Sequence, residues 1–314
     1  MDTVRRAVID VGTNSIKLLV ADVGPQEVRP VWEGSKQTRL GKGFYQTHEL
    51  QPGAISQTAR AVAEFASAAS KHRSKSIRII ATSAVREAIN PNQLTDAIEK
   101  GTGLKVEILS GEQEADLVFQ GVTTDPALSN EALLLLDVGG GSTEFILGHD
   151  QHKDYSASIA LGSVRLLDTF APSDPPLAEE LHSCRKEVKQ FVRKQVFQDL
   201  EPLLFKARKK SQTALHLVGT GGTATILARI ESKLANYDRE KIESTRLSYK
   251  CLLWHVEHLW SLSFEKRKDI VGLPSNRADV ILGGILIYEA VMQLFDFCEL
   301  RISTRGLRFA ALLT

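Results

Sequence analysis

The sequence predicts an α/β protein that contains two duplicated domains. Its length of 314 residues exceeds the usual size of one domain and favours two domains of about 150 residues each. Short β-branched or Leu-rich runs, such as residues 77–81, alternate with helical patterns such as residues 54–69. An internal repeat adds the third observation, because a repeated motif indicates a repeated structural unit.

The internal repeat consists of two apolar runs that each end in Asp-Val-Gly. Its copies read Ala7-Val-Ile-Asp-Val-Gly-Thr-Asn-Ser15 and Leu134-Leu-Leu-Asp-Val-Gly-Gly-Gly-Ser142. In each copy a small-residue turn leads into a second apolar strand, at residues 16–20 and 145–147. Each copy is therefore predicted to be a β-hairpin with a polar, glycine-containing tip.

A polar stretch near the middle, Thr123-Thr-Asp-Pro126, predicts a linker between the domains. The predicted domains are residues 1–125 and 126–304, and a C-terminal helix at about 305–314 is a candidate to pack back on the first domain. The predicted strands of the second domain are residues 133–137 and 215–218. Its predicted helices are residues 177–193, 252–262 and 278–294.

The composition indicates a soluble globular protein. Hydrophobic residues make up 43% and charged residues 25%, which excludes a disordered chain and a membrane protein. The longest apolar stretch, residues 280–288, is far short of the ~20 residues that a membrane span needs. A formal net charge of +1 provides almost no attracting field, so a bound polyanion must be held by local positive charge or by metal. We expect neither a membrane nor a nucleic-acid partner.

The cysteines indicate a reducing compartment. Cys184, Cys251 and Cys298 are odd in number, far apart and without a CxxC pair, so they predict neither disulfides nor a cysteine zinc site. The apolar run at residues 7–9 is too short for a signal peptide, which favours a cytoplasmic location. His255 and His258 lie on a predicted helix without an accompanying carboxylate motif, so we interpret them as packing or surface residues.

The hairpin tips are candidate phosphate sites. Small residues allow consecutive backbone N–H groups to point into one concavity, where they can bind phosphate oxygens. Asp10 and Asp137 lie where the strands end and are placed to hold Mg²⁺. The alternative is a pair of ordinary hairpin turns, in which Asp and Gly are common.

A third small-residue loop, Gly219-Thr-Gly-Gly-Thr223, precedes a predicted helix at residues 224–229. A strand, a glycine turn and a helix N-terminus together predict an anion or nucleotide site that includes Gly221 and Gly222. The alternative is a turn that only allows the helix to pack closely on the strand.

Two charged residues are candidates for direct roles in chemistry. Ser110 and Gln113 have capping-box spacing, and the helix that they begin places Glu114 on the same inward stripe as Leu117 and Val118. An inward carboxylate near a phosphate can orient and deprotonate water, whereas the alternative is a glutamate that reaches out to solvent. Arg86 follows a predicted strand, where it suits phosphate binding or, alternatively, a structural ion pair with an acid.

Ordered motifs along the whole chain carry a family resemblance. They include the two copies of the repeat, Arg39-Leu-Gly41, Ala81-Thr-Ser-Ala-Val-Arg-Glu-Ala88, Ser110-Gly-Glu-Gln-Glu-Ala115, Leu161-Gly-Ser-Val-Arg-Leu166 and Arg305-Gly-Leu-Arg308. With these motifs the chain resembles the exopolyphosphatase and guanosine pentaphosphate phosphatase (Ppx/GppA) family, in its short two-domain form. The resemblance implies two duplicated actin-like domains, of the ribonuclease H-like superfamily that includes sugar kinases and heat-shock ATPases, with an interdomain cleft.

The resemblance also implies roles for particular residues. It makes Glu114 the catalytic carboxylate, Arg86 a substrate contact, and Asp137 and Glu144, with Asp10, the metal ligands. The implied phosphate-binding residues are Thr13, Asn14, Ser15, Gly139, Gly140, Gly141, Ser142 and Thr143. Two departures from the family pattern are Gln113, where the family has glutamate, and Phe309-Ala310, where it often has an acid and glycine.

The predicted activity is therefore the Mg²⁺- or Mn²⁺-dependent release of terminal orthophosphate from inorganic polyphosphate. Guanosine pentaphosphate is a second candidate substrate, and the resemblance makes a homodimer plausible. Two alternatives remain open at this point: an ATP-dependent phosphotransferase of the same superfamily, and a non-catalytic sensor that binds a phosphoanhydride.

Overall fold

The computed structural model describes residues 3–24, 27–210 and 214–314. The chain divides into two compact units. The first unit comprises Met1–Pro126 together with Arg305–Thr314, and the second comprises Ala127–Thr304. Within the described ranges, none of the helices combines the length and the apolar character that a membrane crossing requires.

The elements of the first unit alternate between strands and helices after an initial run of strands. In chain order they are β1 (Val4–Val11), β2 (Ser15–Val23), β3 (Val28–Gln37), α1 (Phe44–Thr47), α2 (Pro52–Lys71), β4 (Ser76–Ala81), α3 (Ser83–Glu87), α4 (Pro91–Thr102), β5 (Val106–Ile108) and α5 (Gly111–Val122). They form a sheet in the order β3-β2-β1-β4-β5, in which the β1–β2 and β2–β3 pairs are antiparallel and the β1–β4 and β4–β5 pairs are parallel.

The second unit repeats this arrangement with more helices. In chain order its elements are β6 (Leu133–Val138), β7 (Thr143–His149), β8 (His152–Ile159), α6 (Ser163–Phe170), α7 (Ala178–Val192), α8 (Gln198–Lys210), β9 (His216–Thr220), α9 (Gly221–Glu231), α10 (Arg239–Ser244), β10 (Arg246–Ser248), α11 (Tyr249–Ser261), α12 (Phe264–Arg267), α13 (Ile281–Leu294) and β11 (Glu299–Ile302). A π-helical segment, Arg193–Phe197, connects α7 to α8. The last helix of the chain, α14 (Leu307–Ala311), belongs to the first unit, where it packs on α5.

The strand order shows that the two units are duplicates. In the second unit the order is β8-β7-β6-β9-β11-β10, so β6, β7, β8, β9 and β11 take the places of β1, β2, β3, β4 and β5. The register shifts after Val20 in β2 and after Leu147 in β7, each ten residues beyond the aspartate of its repeat. A shared irregularity at the same position indicates a common ancestral hairpin. The predicted α/β class with duplicated domains is confirmed.

Each unit has its own apolar core, built from the buried faces of its sheet and helices. In the first unit α2 buries Ile55, Val62 and Phe65 against the sheet. In the second, α13 is buried along most of its length, including Tyr288. Burial of this kind stabilises each unit through the hydrophobic effect, at about 25 cal/mol per Å² of apolar area removed from water.

The structure changes two boundaries that matter for the site. The strand predicted at residues 215–218 continues to Thr220, and the helix predicted to begin at residue 224 begins at Gly221. Gly221 and Gly222 therefore form the first turn of α9 rather than a separate loop, because a positive φ of 82° at Gly221 turns the chain directly from strand to helix.

Candidate active site

The hairpin tip of the first unit is a tightly held loop. The Gly12 N–H donates to the carbonyl oxygen of Ser15 at 3.1 Å, which closes the turn between β1 and β2. The Gly41 N–H donates to the carbonyl oxygen of Thr13 at 2.8 Å, and a Cβ at Gly41 would overlap the Thr13 side chain. Only glycine at position 41 thus allows the following segment to approach this tip.

Asn14 carries a polar group that the surrounding protein does not satisfy. Its Oδ1 accepts a hydrogen bond from Nε2 of Gln37 at 3.1 Å, while its Nδ2 is buried and has no hydrogen-bond acceptor among the described residues. A buried donor without an acceptor costs about 1–3 kcal/mol, which a bound oxygen anion would remove. The orphaned amide fits the predicted phosphate-binding role of this tip.

The first tip connects to the predicted catalytic residue through α3. The Ala84 N–H, in the first turn of α3, donates to Oγ1 of Thr13 at 3.3 Å. Arg86, in the last turn of the same short helix, donates from one guanidinium nitrogen to Oε2 of Glu114 at 2.8 Å and to the carbonyl oxygen of Leu109 at 3.0 Å. The first unit therefore brings Thr13, Arg86 and Glu114 into one connected set.

Glu114 occupies the inward position that its helical spacing predicts. Ser110 and Gln113 form the capping box that begins α5, and Glu114 lies in the first turn with only 8% of its surface exposed. The ion pair with Arg86 balances the charge of this buried carboxylate. The ion pair that was the alternative interpretation of Arg86 exists, and its partner is the predicted catalytic acid.

Asp10 faces a basic residue across its hairpin. It pairs in register with Lys17, and both side chains are partly buried on the same side of the sheet. Burial raises the pKa of Asp10, and the positive charges of Lys17 and Arg308 oppose that increase. The aspartate of the first repeat therefore has cationic neighbours supplied by the protein itself.

The second tip has the same backbone closure as the first. The Gly139 N–H donates to the carbonyl oxygen of Ser142 at 3.0 Å. The Ser163 N–H donates to Gly139 O and the Val164 N–H to Gly140 O, at 3.0 and 2.8 Å, and a Cβ at Gly162 would overlap Gly140. Gly162 therefore allows the segment that follows β8 to approach the second tip, as Gly41 allows the segment that follows β3 to approach the first tip.

The remaining polar groups of this tip are also fixed. The Thr143 Oγ1 hydroxyl donates to Leu161 O at 2.5 Å, and Arg165 Nε donates to Gly141 O at 2.9 Å. Ser142 and Thr143 are both buried. The second tip, residues 139–143, is therefore rigid before any ligand binds, which lowers the entropy cost of binding an anion.

Two carboxylates lie beside each other at the base of the second tip. Asp137 on β6 pairs in register with Glu144 on β7. Glu144 is 1% exposed and its Oε1 accepts a hydrogen bond from Ser158 Oγ at 2.8 Å. Gly221 is packed against Asp137 so closely that a Cβ there would overlap Oδ1. The start of α9 therefore lies against the carboxylate of Asp137.

Two residues that shape the site were not predicted. Lys17 is the cross-strand partner of Asp10, and Ser158 is the hydrogen-bond partner of Glu144. The position of Lys17 could have been predicted from the hairpin, because Asp10 and Lys17 are almost equally distant from its tip. Ser158 carried no such signal, since β8 is an edge strand with a largely polar sequence.

One contact in the second unit was not predicted. His255 is buried, as expected for a packing residue, and its Nε2 lies 2.7 Å from Oε2 of Glu231. Cys251, taken as unsuited to a metal site, lies beside the same carboxylate, with its Sγ 3.0 Å from Glu231 Oε2. The carboxylate of Glu231 belongs to α9, so the sequence around His255 could not predict this contact.

The repeated strand order and the repeated hairpin tips define a duplicated α/β protein with a glycine-containing hairpin tip in each unit. The chain belongs to the Ppx/GppA phosphatase family, whose model matches residues 19–313.

Similar proteins support this assignment over nearly the full chain. Exopolyphosphatase 2 of Mycobacterium tuberculosis is 33% identical over 299 residues, which cover 92% of this chain and 90% of that relative. The crystal structure of an exopolyphosphatase from Cytophaga hutchinsonii is 27% identical, with a TM-score of 0.86 and coverage of 99% and 97%. The Ppx/GppA enzyme of Aquifex aeolicus is also 27% identical, with a TM-score of 0.78 and coverage of 99% of both chains.

Proposed function

We propose that this protein is an exopolyphosphatase, which releases terminal orthophosphate from inorganic polyphosphate by attack of water. The observation that carries the proposal is the buried Glu114, held by Arg86 at 2.8 Å and linked through α3 to the hairpin tip at Thr13. The names of the similar proteins support polyphosphate as the substrate. Guanosine pentaphosphate, which also ends in a phosphoanhydride, is included as a second substrate.

Glu114 is proposed to align the attacking water and accept its proton. A carboxylate held in a fixed orientation can act as a general base, and such groups typically contribute about 10²–10⁴-fold to the rate. Arg86 fixes that orientation and is proposed to contact the substrate as well. The tip at Thr13, Asn14 and Ser15 and the tip at residues 139–143 bind phosphate oxygens, with Gly221 and Gly222 contributing to the second tip. Catalysis would then rest mainly on positioning and electrostatics.

Asp137 and Glu144 are proposed to hold Mg²⁺, or Mn²⁺, and Asp10 stays a predicted ligand of the metal. The fit rests on the donor set, since carboxylate oxygens are the ligands that these hard cations prefer and two of them lie directly opposite each other. A bound cation would offset negative charge on the terminal phosphate groups. The proposal also includes a cytoplasmic location and a homodimer, while the interdomain cleft stays a prediction.

The test is an assay of orthophosphate release by the purified protein with Mg²⁺. Short polyphosphate, long polyphosphate, guanosine pentaphosphate and ATP are compared as substrates. We expect release from polyphosphate and a loss of about 10²–10⁴-fold in kcat for Glu114→Gln, with substrate affinity preserved. Glu112→Gln is the matched control, because Glu112 lies in the same helical turn but is exposed.

Three results would contradict the proposal. Near-normal turnover by Glu114→Gln would remove Glu114 from the chemistry. Formation of ADP from ATP that depends on an added acceptor would instead indicate a phosphotransferase, and binding of polyphosphate without any turnover would indicate a sensor.

A further inference from the structure

Three metal-ligating side chains meet in the second unit. Glu231, the last residue of α9, accepts hydrogen bonds at one carboxylate oxygen from Cys251 Sγ at 3.0 Å and from His255 Nε2 at 2.7 Å. All three potential ligand atoms lie within 4.8 Å of one another. We propose that Glu231, Cys251 and His255 form a binding site for a divalent transition metal, with Zn²⁺ as the preferred ion.

Local geometry explains why these side chains converge. Cys251 and His255 are four residues apart on α11, so they project from the same face of the helix. Ser248 caps α11 by accepting a hydrogen bond from the Cys251 N–H, which fixes the turn that carries the thiol. Since α9 and α11 both belong to the second unit, the site is complete within that unit.

The donor set selects the class of metal. Thiolate and imidazole ligands favour Zn²⁺ and neighbouring transition metals, whereas Mg²⁺ prefers oxygen donors. In a tetrahedral zinc site, bond lengths of about 2.0–2.3 Å place the ligand atoms about 3.4–3.6 Å apart. The hydrogen-bonded contacts in the cluster are shorter, so loading requires the Cys251 and His255 side chains to separate from Glu231 by about half an ångström. The ion replaces the two bridging protons, of which the thiol proton is released to solvent and the imidazole proton moves to Nδ1 of His255.

The exposure of the cluster suits an ion that retains one water ligand. His255 is buried, Cys251 is partly exposed and Glu231 is exposed, which leaves an approach from solvent. Three protein ligands and one water complete a tetrahedral shell. His255 Nδ1 is buried and has no hydrogen-bond partner among the described residues. Because a missing partner of this kind costs about 10–100-fold in metal affinity, we expect weaker binding than at a closed structural zinc site.

A reactive cysteine is the competing interpretation. Burial, with a smaller contribution from Glu231, raises the pKa of the Cys251 thiol to about 12. A thiol with so high a pKa is almost fully protonated at neutral pH and is a poor nucleophile. A metal ion, in contrast, stabilises the thiolate directly, so the arrangement suits metal binding better than covalent chemistry.

The site is separate from the proposed catalytic residues. Glu231 ends the 11-residue helix α9, and Gly221 begins it, so the two ends are about 15 Å apart at 1.5 Å per residue. Zinc bound at Glu231 would tie the end of α9 to α11 without contacting the phosphate tip. We expect it to stabilise the second unit.

Cobalt provides the direct test, because Co²⁺ occupies zinc sites and gives a near-ultraviolet charge-transfer band when a thiolate coordinates it. The wild-type protein, with Mg²⁺ in excess, is titrated with Co²⁺ and then with Zn²⁺. We expect the band to appear with one equivalent of Co²⁺ and to disappear as Zn²⁺ displaces it, and we expect Zn²⁺ to raise the melting temperature. Two variants remove a ligand each: Cys251→Ser should abolish the band, and Glu231→Gln should weaken binding of the metal about tenfold or more. Cys298→Ser, at an exposed cysteine, is the control and should retain both the Co²⁺ band and the rise in melting temperature with Zn²⁺.

The outcomes separate this proposal from the proposed function. Absence of the band in the wild-type protein, or its loss in Cys298→Ser rather than Cys251→Ser, overturns the site. Far-ultraviolet circular dichroism checks the fold of Cys251→Ser, and Glu231→Gln provides a second variant at an exposed position. Because the readouts are spectroscopic and thermal, they are independent of phosphatase activity.

Discussion

Glu144 lies directly opposite Asp137 in the β6–β7 hairpin, which places two carboxylates side by side at the base of the second tip. At the equivalent position of the first unit, Asp10 is opposite Lys17. Like charges opposite each other destabilise a sheet unless a cation lies between or beside them. The duplicated hairpins have thus diverged at one position, from a carboxylate opposite a lysine to a carboxylate opposite a second carboxylate.

This difference predicts unequal effects on the metal requirement. Glu144→Gln should raise the Mg²⁺ concentration for half-maximal activity about tenfold or more, because a ligand of the cation is lost. Lys17→Met should instead lower the Mg²⁺ concentration for half-maximal activity slightly, because Asp10, a predicted ligand of the cation, loses the positive charge that competes with the cation. Mg²⁺ titrations of orthophosphate release measure both values. Equal shifts in the two variants would contradict the assignment of the cation to Asp137 and Glu144.

Gly221 sets the distance between α9 and the carboxylate of Asp137. Its φ of 82° disfavours any side chain, and a Cβ would overlap Asp137 Oδ1. Gly221→Ala should therefore lower stability by about 1–3 kcal/mol and also weaken the response to Mg²⁺. Urea denaturation and Mg²⁺ titration provide the two measurements.

The control for Gly221→Ala is Gly101→Ala. Gly101 lies near the end of α4, and a Cβ there would meet no atom within 4 Å. This substitution should be neutral or stabilise the protein by about 0.5–1 kcal/mol, because alanine is the better helix former. If both variants lose stability equally, the close approach of Gly221 to Asp137 is not the cause.

The sequence was sufficient to predict the central strands β1 and β6 but not the edge strands β3 and β8. Strands β1 and β6 are continuous apolar runs that end in Asp-Val-Gly, and such runs mark buried strands. Strands β3 and β8 were missed because they lie at sheet edges, where exposed polar residues interrupt the apolar pattern. The start of α9 was placed late because a glycine with positive φ replaces the usual loop.

The same contrast applies to the site residues. The inward position of Glu114 follows from helical spacing and from the cap at Ser110, both of which are local. The cluster at His255 depends on Glu231, which is 24 residues distant in sequence and reaches the histidine only through the packing of α9 and α11. Contacts of this kind are set by tertiary structure, so no local sequence pattern predicts them.

The Arg86–Glu114 pair predicts strongly non-additive kinetics. Arg86→Lys keeps the positive charge but loses the guanidinium geometry that reaches Leu109 and Glu114 together, so kcat should fall about tenfold or more. In a Glu114→Gln background the same change should have little further effect on kcat, because the base that Arg86 orients is already absent. A rise in KM in both backgrounds would measure the additional contact of Arg86 with substrate.

Arg78→Lys is the matched control for Arg86→Lys. Arg78 forms an ion pair with Glu107 at 2.9 Å in the same unit, at a more exposed position that is not connected to the hairpin tip. It should leave kcat and KM close to the wild-type values. A comparable loss of kcat in this variant would mean that any arginine pair in the first unit affects turnover through stability alone.

The Arg185–Glu289 pair between α7 and α13 predicts a pH-dependent difference in stability. Burial raises the pKa of Glu289 although Arg185 lies 2.9 Å away and opposes the increase. A carboxyl group whose pKa is raised on folding binds its proton more tightly in the folded state, so its contribution to stability is lost as pH rises from the unfolded value of about 4.5 through the folded pKa.

Glutamine mimics the protonated form of Glu289, and Glu289→Gln should therefore gain stability relative to the wild type as pH rises over that interval. Urea denaturation between acidic and neutral pH measures the difference. A difference between Glu289→Gln and the wild type that stays constant with pH would mean that the carboxyl group titrates equally in both states.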